Sequence, residues 1–487
     1  MIAYSRKGLI MDKVLLFIPN TRWLNRRAWM MYPQSALILT ALLKDEFDFD
    51  VLDATARDMS EEECVKYIRS RRPKTVLVSG LAAEYYMQYH HALALAKEAD
   101  PRIVTILGGV YPTVLEKEAV KDSNIDYIFM GHAEERVGEF LRLAISGDIK
   151  QIKGFAGIGF KDGKGRVIIN PVKSYIASVK KMAKPDYTFF DGKAYVRQDT
   201  KDYQFNSKSR SLPIITSYGC YYNCVFCASR TISGRGVVYR PEEDVYDEIE
   251  FLKDKFKVEN LVFLDDCFLG DRKRIDSMLN TFIKRRYDLT WKVATVSAWH
   301  LDKKLLSLMK RAGCTQITVS VESGSPRVLH DIIRKPLKLE TIPPIVRMCK
   351  EIGIDLGANF VIGFPGETWF DIRQTFRFAE TCRFDLTHFH IATPLPKTDL
   401  YEMAKKKGGL PANFSFIDPD FFGFGRGFIT TDEFTPQELM TLRAFEWDRI
   451  NFATPEKTKK AARMMGLTID ELNEHRKQTR LKCGIHV

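Results

Sequence analysis

The chain has 487 residues, of which 45% are hydrophobic and 28% are charged, a balance typical of globular proteins with two or three domains. Its longest apolar stretches, such as residues 36–43, are far shorter than a bilayer span, and residues 1–12 lack the apolar core of a secretory signal, so we expect a cytoplasmic protein without a transmembrane segment. The formal net charge of +12 is spread along the chain, which argues against the clustered basic surface of a nucleic-acid-binding protein.

Residues 1–150 are predicted to form an α/β domain, because five short β-branched runs alternate with helical stretches. Ser60 and Glu63 have the spacing of a capping box at the start of one of these helices. The alternation indicates a doubly wound parallel sheet, in which ligands bind beyond the carboxyl ends of the strands. The predicted strands are 14–18, 49–52, 75–79, 103–107 and 127–130.

Residues 151–211 are predicted to be a hairpin followed by a polar linker, with the hairpin strands at 158–160 and 167–169. A second alternating series follows over residues 212–395. Its six strands are too few for an eight-stranded barrel, so we expect a partial (β/α)6 barrel with its catalytic groups where the strands end. These strands are predicted at 213–217, 261–264, 291–296, 316–321, 356–362 and 387–391. Residues 396–487 are predicted to be a mostly helical region that covers the substrate.

Three of the nine cysteines are clustered, in the sequence Cys220-Tyr-Tyr-Asn-Cys224-Val-Phe-Cys227. We expect this loop directly after the first barrel strand. Three thiolates within eight residues can bind one face of an iron–sulfur cube, and because such a cube usually takes four cysteines, one iron is left open. A zinc site is the main alternative, but structural zinc takes four ligands and no second Cys or His pair has suitable spacing. Three buried cysteines without a metal are the other alternative.

The cysteine trio, with the aromatic Phe226 before its last member, resembles the fingerprint of the radical S-adenosylmethionine (SAM) superfamily. The resemblance implies that Cys220, Cys224 and Cys227 ligate a [4Fe–4S] cluster and that SAM chelates the open iron. An electron from the cluster would split SAM into methionine and a 5′-deoxyadenosyl radical, which abstracts a hydrogen from the substrate. It also implies an external reductant such as flavodoxin or ferredoxin.

Other predicted strand ends match the same superfamily. The family binds the SAM amino group after the second strand, the ribose after the fourth and the adenine near the fifth. Each stretch is a weak signal alone, because an Asp pair more often caps a helix and Pro-Gly more often forms a turn. In this order behind the cysteines, the resemblance implies that SAM is bound by Phe226, Asp265, Asp266, Glu322, Ser323, Gly363, Pro365 and Glu367.

An α/β domain ahead of such a barrel resembles the cobalamin-binding subgroup of the superfamily. Gly108-Gly109-Val110-Tyr111-Pro112-Thr113 is similar to the Gly-Gly loop of that subgroup. Gly131-His132-Ala133-Glu134 is similar to its Gly-Glu-Gly-Glu stretch, with His and Ala at the two middle positions. The resemblance implies cobalamin contacts from Asn20, Gly80, Leu81, Gly108, Gly109, Val110, Tyr111, Gly131, His132 and Glu134.

The sequence contains no Asp-x-His-x-x-Gly motif, so ligation of cobalt by a histidine in the manner of methionine synthase is not expected. The lower face of the cobalt would be bare, water-bound or near Tyr111, and we expect Tyr111 to pack rather than to bind cobalt. The alternative for the whole domain is a sheet that has lost cobalamin.

The resemblance implies a cobalamin-dependent radical SAM methyltransferase that modifies an unactivated carbon, or a phosphorus centre, through a 5′-deoxyadenosyl radical and methylcobalamin. An alternative keeps both cofactors but closes or rearranges a ring, as tetrapyrrole cyclases do, without methyl transfer. A lesser alternative is an iron–sulfur binding or electron-transfer protein, against which the SAM-binding stretches argue. We expect the substrate to be an apolar or anionic small molecule.

Overall fold

The computed structural model describes residues 11–25, 33–80, 82–173, 175–176, 182–196, 210–418, 421–423 and 425–483. The chain divides into two compact units, Met1–Tyr195 and Val196–Val487. Each unit has its own sheet structure, and each is described by itself. Leu81, one of the predicted cobalamin contacts, lies outside the described residues.

The sheet of the first unit consists of β1 (Lys13–Ile18), β2 (Asp48–Asp53), β3 (Thr75–Gly80), β4 (Val104–Gly109), β5 (Tyr127–Phe129), β6 (Ile158–Lys161) and β7 (Val167–Ile169). Its strand order is β2-β1-β3-β4-β5-β6-β7. Strands β1 to β5 pair in parallel, which confirms the predicted parallel sheet. The predicted hairpin also forms, and its strands β6 and β7 extend the same sheet in antiparallel pairing.

The helices of the first unit are α1 (Gln34–Leu43), α2 (Ala54–Arg57), α3 (Glu61–Arg71), α4 (Tyr86–Ala99), α5 (Val110–Val114), α6 (Glu116–Ala119), α7 (Val137–Ser146), α8 (Ile149–Ile152) and α9 (Gly192–Tyr195). The predicted capping box opens α3. The Ser60 hydroxyl accepts from the Glu63 amide at 3.3 Å, and the Glu63 carboxylate accepts from the Ser60 amide at 2.8 Å. Two backbone donors that the helix leaves free are thereby satisfied.

The strands of the second unit are β8 (Ser211–Ile214), β9 (Ser217–Cys220), β10 (Gly236–Tyr239), β11 (Asn260–Phe263), β12 (Thr290–Val296), β13 (Cys314–Glu322), β14 (Asp355–Ile362) and β15 (Leu386–Ile391). Six of them form a parallel sheet in the order β15-β14-β13-β12-β11-β8, which confirms the predicted partial barrel. All four residues of β11 are buried, as expected for a parallel strand covered on both faces. Strands β9 and β10 form a separate antiparallel pair.

The helices of the second unit are α10 (Ser229–Ser233), α11 (Glu242–Phe256), α12 (Arg272–Arg285), α13 (Lys303–Arg311), α14 (Ile342–Ile352), α15 (Trp369–Cys382), α16 (Asp399–Lys406), α17 (Pro436–Asn451), α18 (Pro455–Met465) and α19 (Ile469–Leu481). Helix α17 covers the open edge of the sheet. The Asn451 side-chain oxygen accepts from the Thr387 amide of β15 at 2.7 Å, so a strand edge that would otherwise expose its amides is protected. None of the helices in the described ranges is both long and apolar enough to span a membrane.

Candidate functional site

The cysteine loop begins at the end of a short hairpin, not at the end of a barrel strand as predicted. Barrel strand β8 ends at Ile214, and Cys220 is the last residue of β9, where it lies opposite Gly236 of β10. Gly219 has a φ of +85°, and a Cβ at this position would lie 2.4 Å from the Gly236 carbonyl oxygen. Only glycine fits such a position. Gly219 therefore allows β9 and β10 to pair closely at the point where the cysteine loop begins.

The backbone of the cysteine loop is held from two sides. The Val225 amide donates to the Ile333 carbonyl at 3.1 Å, and the Leu400 amide donates to the Val225 carbonyl at 2.9 Å. Cys220 and Cys224 are half-buried and Cys227 is exposed, whereas the six other cysteines are buried. The three thiols of the motif are therefore the ones that a bound group can reach.

Neighbouring groups shift the pKa values of the thiols in the cysteine loop. A hydrogen bond from the Cys267 thiol lowers the pKa of Cys220, and the positive charge of Lys335 acts in the same direction. Burial raises the pKa of Cys224, while Lys335 lowers it and Glu322 raises it. Thiolates are the ligands of iron–sulfur cubes, so three reachable thiols on one braced loop fit a [4Fe–4S] cluster. In the described part of the chain, no three His, Cys, Asp or Glu side chains are arranged to hold a single metal ion.

Asp265 and Asp266, predicted to contact SAM, bind the ends of the same loop. Asp265 is 2% exposed and accepts hydrogen bonds from the Thr216 amide at 3.1 Å and from the Ser217 hydroxyl at 2.6 Å. Asp266 is exposed and accepts from the Gly219 amide at 3.2 Å and from the Ser229 hydroxyl at 3.0 Å. Asp265 therefore braces the turn that separates β8 from β9, and Asp266 is the member of the pair that a ligand can reach.

Glu322, the predicted ribose contact, ends β13 in a strained conformation and is paired with a lysine. Its φ is +71°, which is unusual for a residue with a side chain, and the register of β13 shifts between Ser320 and Glu322. Its carboxylate accepts from Lys335 Nζ at 2.8 Å, with the two side chains 7% and 6% exposed. The neighbouring Ser323 is fully buried and lies 3.1 Å from the Thr375 hydroxyl, so it supports the strand end.

The predicted adenine loop packs against the cysteine loop. Phe364 and Phe226 have ring centroids 5.9 Å apart. Glu367 is 1% exposed and accepts from the amides of Gly363 at 2.6 Å and Phe364 at 3.0 Å. Burial raises the pKa of Glu367 to about 8. Glu367 therefore acts inside the loop as a brace, and the buried Pro365 completes the turn.

Four functional candidates were missed by the sequence analysis because they carry no strand-end signal of the family. Tyr222 of the cysteine loop accepts from Trp299 Nε1 at 2.7 Å, and its hydroxyl lies 2.8 Å from His300 Nε2. The aromatic and imidazole groups directly after β12 were the available signal. Lys335, which pairs with Glu322, lies 5.6 Å above the Trp299 ring.

The carboxyl edge of the first unit offers a cleft and a close backbone approach. A small cleft is lined by residues that include Pro19, Ser79 and Gly80, which follow or end strands β1 and β3. Gly109 has a φ of +97°, and a Cβ there would lie 2.3 Å from the Gly80 carbonyl oxygen. Any side chain at Gly109 would push these two strand ends apart.

The loops after β4 and β5 are tied together by one threonine. The Thr113 hydroxyl donates to the Gly109 carbonyl at 2.7 Å and accepts from the Gly131 amide at 3.0 Å. His132 Nδ1 lies 3.6 Å from the carboxylate of Glu134, which is buried. His132 Nε2 is buried without a hydrogen-bond partner among the described residues. A buried polar atom of this kind needs a partner, and a bound cofactor with polar groups, such as cobalamin, would supply one.

The other predicted cobalamin residues differ in what they can offer. Asn20 is buried, its side-chain amide donating to Asp58 at 3.0 Å and its oxygen accepting from the Arg22 amide at 3.1 Å. Tyr111 is 1% exposed and packs as we expected, with its ring 5.5 Å from that of Tyr86. Val110 begins helix α5, and Gly108 is half-buried.

Two family models match the chain. The model of the radical SAM superfamily matches residues 214–379, which contain the cysteine loop and the strand ends around it. The model of the B12 binding domain matches residues 27–141, which contain the glycine edge. The matched segments fall in different units of the structure.

Curated relatives are identical to the chain at about a quarter of the aligned residues. An uncharacterized methyltransferase of Pyrococcus horikoshii is 27% identical over 80% of this chain and 83% of its own. The cytidylyl-2-hydroxyethylphosphonate methyltransferase of Streptomyces wedmorensis is 26% identical over 74% of this chain and 71% of its own. The anaerobic magnesium-protoporphyrin IX monomethyl ester cyclase of Rubrivivax gelatinosus is 26% identical over 77% of this chain and 65% of its own.

Solved structures share the fold. The radical SAM methyltransferase TsrM from Kitasatospora setae, with cobalamin and a [4Fe–4S] cluster bound, has a TM-score of 0.65 at 20% identity over 82% of this chain and 76% of its own. The cobalamin-dependent radical SAM enzyme OxsB, with aqua-cobalamin and SAM bound, has a TM-score of 0.70 at 16% identity over 97% of this chain and 72% of its own. The chain therefore carries a B12-binding domain over residues 27–141 and a radical SAM domain over residues 214–379.

Proposed function

We propose that the chain is a cobalamin-dependent radical SAM methyltransferase that acts on a small molecule. The observation that carries the proposal is the braced loop of three reachable thiols beside the paired Glu322, in one chain with a glycine-edged sheet that matches the B12-binding domain. The methyltransferases among the relatives support transfer of a methyl group.

In this proposal, Cys220, Cys224 and Cys227 hold the [4Fe–4S] cluster. Asp266 and Glu322 bind SAM, because both carboxylates lie beside the cysteine loop and can accept hydrogen bonds. When bound, the cluster and SAM supply a carbon-centred radical, and cobalamin supplies a carrier for the methyl group. Asp265 and Glu367 keep the two loops in place, since their carboxylates already accept from backbone and hydroxyl donors.

Cobalamin is held, in the same proposal, at the carboxyl edge of the first unit. The proposed contacts include Gly80, Gly108, Gly109 and Gly131. Gly109 keeps the carboxyl ends of β3 and β4 close together, since a Cβ there would lie 2.3 Å from the Gly80 carbonyl oxygen, and His132 offers its unpaired Nε2 to a polar group of cobalamin. The proposed electron source is a one-electron reductant of the flavodoxin or ferredoxin class. The substrate is an apolar or anionic small molecule with an unactivated carbon or a phosphorus centre.

A cyclase is the second candidate, because a magnesium-protoporphyrin cyclase is 26% identical over 77% of the chain. The two candidates differ in the fate of the SAM methyl group. Anaerobically reconstituted protein, supplied with cobalamin, a reductant and cell extract, is incubated with SAM that carries a trideuterated methyl group. A product with the mass shift of that methyl group supports the methyltransferase, and a new product without the shift supports the cyclase.

A further inference from the structure

A lysine is buried beside the cysteine loop. Lys335 follows a π-helix at Val328–Ile333, and the left-handed conformation of Arg334, with a φ of +64°, turns the chain back toward the loop. The Lys335 amide then donates to the Leu329 carbonyl at 2.9 Å. The side chain is 6% exposed, and its Nζ lies 2.8 Å from the Glu322 carboxylate.

The segment that carries Lys335 is connected to the cysteine loop at two points. The Ile333 carbonyl accepts from the Val225 amide at 3.1 Å. Lys335 Nζ also lies 5.6 Å above the ring of Trp299, whose Nε1 donates to the Tyr222 hydroxyl at 2.7 Å. Val225 and Tyr222 belong to the loop between Cys220 and Cys227, so the position of the lysine relative to the thiols is fixed from the backbone and from a side chain.

Stability alone is a weak reason for this ion pair. Removing two charges from water costs several kcal/mol per ion, which their attraction offsets only in part, so a buried pair is often no more stabilising than apolar residues of the same size. A buried charge does act over a longer distance, because the surroundings screen it less than water does. The positive end of the pair, Lys335 Nζ, contacts the Trp299 ring, whose Nε1 donates to Tyr222 of the cysteine loop.

We propose that Lys335 is a positioning residue whose buried positive charge raises the reduction potential of the cluster held by Cys220, Cys224 and Cys227. The inference rests on the proposed function. Reduction adds one electron to the cluster and removes one from the external reductant, and no bond forms or breaks. The added negative charge is stabilised by a nearby cation, and the potentials of such clusters respond to charge and hydrogen bonds at their sulfurs. Lys335 thereby makes the cluster accessible to a weaker reductant.

The test is a reductive titration of the reconstituted full chain, in which the reduced cluster is followed by electron paramagnetic resonance. Lys335→Met should shift the midpoint potential to a more negative value at unchanged iron content, and Lys335→Arg should keep it near the wild-type value. Glu322→Gln should shift it in the opposite direction, because the positive charge is then unopposed. Lys303→Met is the matched control, since Lys303 pairs with Glu351 at 3.2 Å on the surface, and it should change nothing.

Removal of both charges covers the case in which Lys335→Met fails to bind the cluster. The double variant Lys335→Met/Glu322→Gln leaves no unpaired buried charge, so it should hold the cluster and have a more negative potential than Glu322→Gln alone. The inference is overturned if Lys335→Met holds the cluster at the wild-type potential, or if the double variant holds it at the potential of Glu322→Gln. It is also overturned if neither variant holds the cluster. A wild-type protein that binds no [4Fe–4S] cluster would instead contradict the proposed function.

Discussion

The Tyr111 hydroxyl lies 2.9 Å from Nε2 of His90. The other ring nitrogen of His90, Nδ1, lies 2.6 Å from the Asp122 carboxylate. An ionised carboxylate accepts hydrogen bonds but cannot donate one. Nδ1 therefore donates to Asp122, and Nε2 of a neutral imidazole accepts from the Tyr111 hydroxyl. Because the phenol is 1% exposed and directed at His90, it is occupied within the first unit and is not available as a ligand of cobalt.

Tyr111→Phe should therefore leave the spectrum of bound cobalamin unchanged. The same variant should lower the free energy of unfolding of the first unit by about 1 kcal/mol, because a buried hydrogen bond is lost. Urea unfolding and the visible spectrum of the cobalamin-loaded protein check the two parts. Tyr67→Phe, which removes a hydrogen bond to Asp50, serves as the control. A spectral change in Tyr111→Phe alone would show that this residue approaches the metal.

Gly109→Ala should abolish cobalamin binding. The added Cβ would lie 2.3 Å from the Gly80 carbonyl oxygen, so the carboxyl ends of β3 and β4 must separate. Gly147→Ala is a close control, because Gly147 also has a positive φ, +70°, but nothing lies within 4 Å of its Cβ position. Gel filtration with free cobalamin measures the bound fraction. Equal binding by the two variants would rule out the glycine edge as the binding site.

The cysteine loop should account for all of the bound iron. Anaerobically reconstituted protein is expected to contain about four irons and four sulfides per chain. The triple replacement of Cys220, Cys224 and Cys227 by Ala should remove them, whereas Cys349→Ala should not, because Cys349 is a buried core residue. Iron and sulfide analysis measures both. Retention of iron by the triple variant would refute the assignment of the ligands.

Glu367 should make the unfolding free energy depend on pH. Its folded pKa is raised by burial to about 8, against about 4.3 in an unfolded chain. The stability that the protonated group contributes is complete below the unfolded value and is lost as the pH rises through the folded value, at up to about 1.4 kcal/mol per pH unit between the two. Urea unfolding from about pH 5 to about pH 8 should show a smaller slope for Glu367→Gln than for the wild type. Identical slopes in the two proteins would contradict a buried, protonated Glu367.

Local sequence patterns were sufficient to predict the strands of both parallel sheets and the start of helix α3. The parallel strands of both sheets follow from β-branched runs that alternate with helices, and the Ser60–Glu63 capping box follows from its three-residue spacing. The pairing of β9 with β10 could not be read in this way, because the four-residue strand Ser217–Cys220 looks like a continuation of β8. The two strands are separated at Thr216, whose amide donates to the Asp265 carboxylate. Asp265 is 49 residues further along the chain, so a local pattern does not show this contact.

The resemblance named candidate site residues in motifs at the predicted strand ends, and it named none in the segments between those motifs. Cys220, Asp266 and Glu322 each stand in a motif, so the resemblance could name them as candidates. Lys335 has no motif, and its role depends on a turn at Arg334 that brings it back to Glu322. The hydrogen bonds of a carboxylate also depend on tertiary contacts, so the sequence could not show that Asp265 and Glu367, which are predicted SAM contacts, accept from donors within the loops.

In the proposed function, one chain uses SAM in two ways, as the source of a radical and as the source of a methyl group. The most direct test is to quantify 5′-deoxyadenosine and S-adenosylhomocysteine together by mass spectrometry, in reduced reactions of the cobalamin-loaded protein with substrate-containing extract. Both compounds should form, and both should be lost when Cys220, Cys224 and Cys227 are replaced by Ala. Formation of 5′-deoxyadenosine without S-adenosylhomocysteine would contradict methyl transfer, and formation of neither would contradict both uses of SAM.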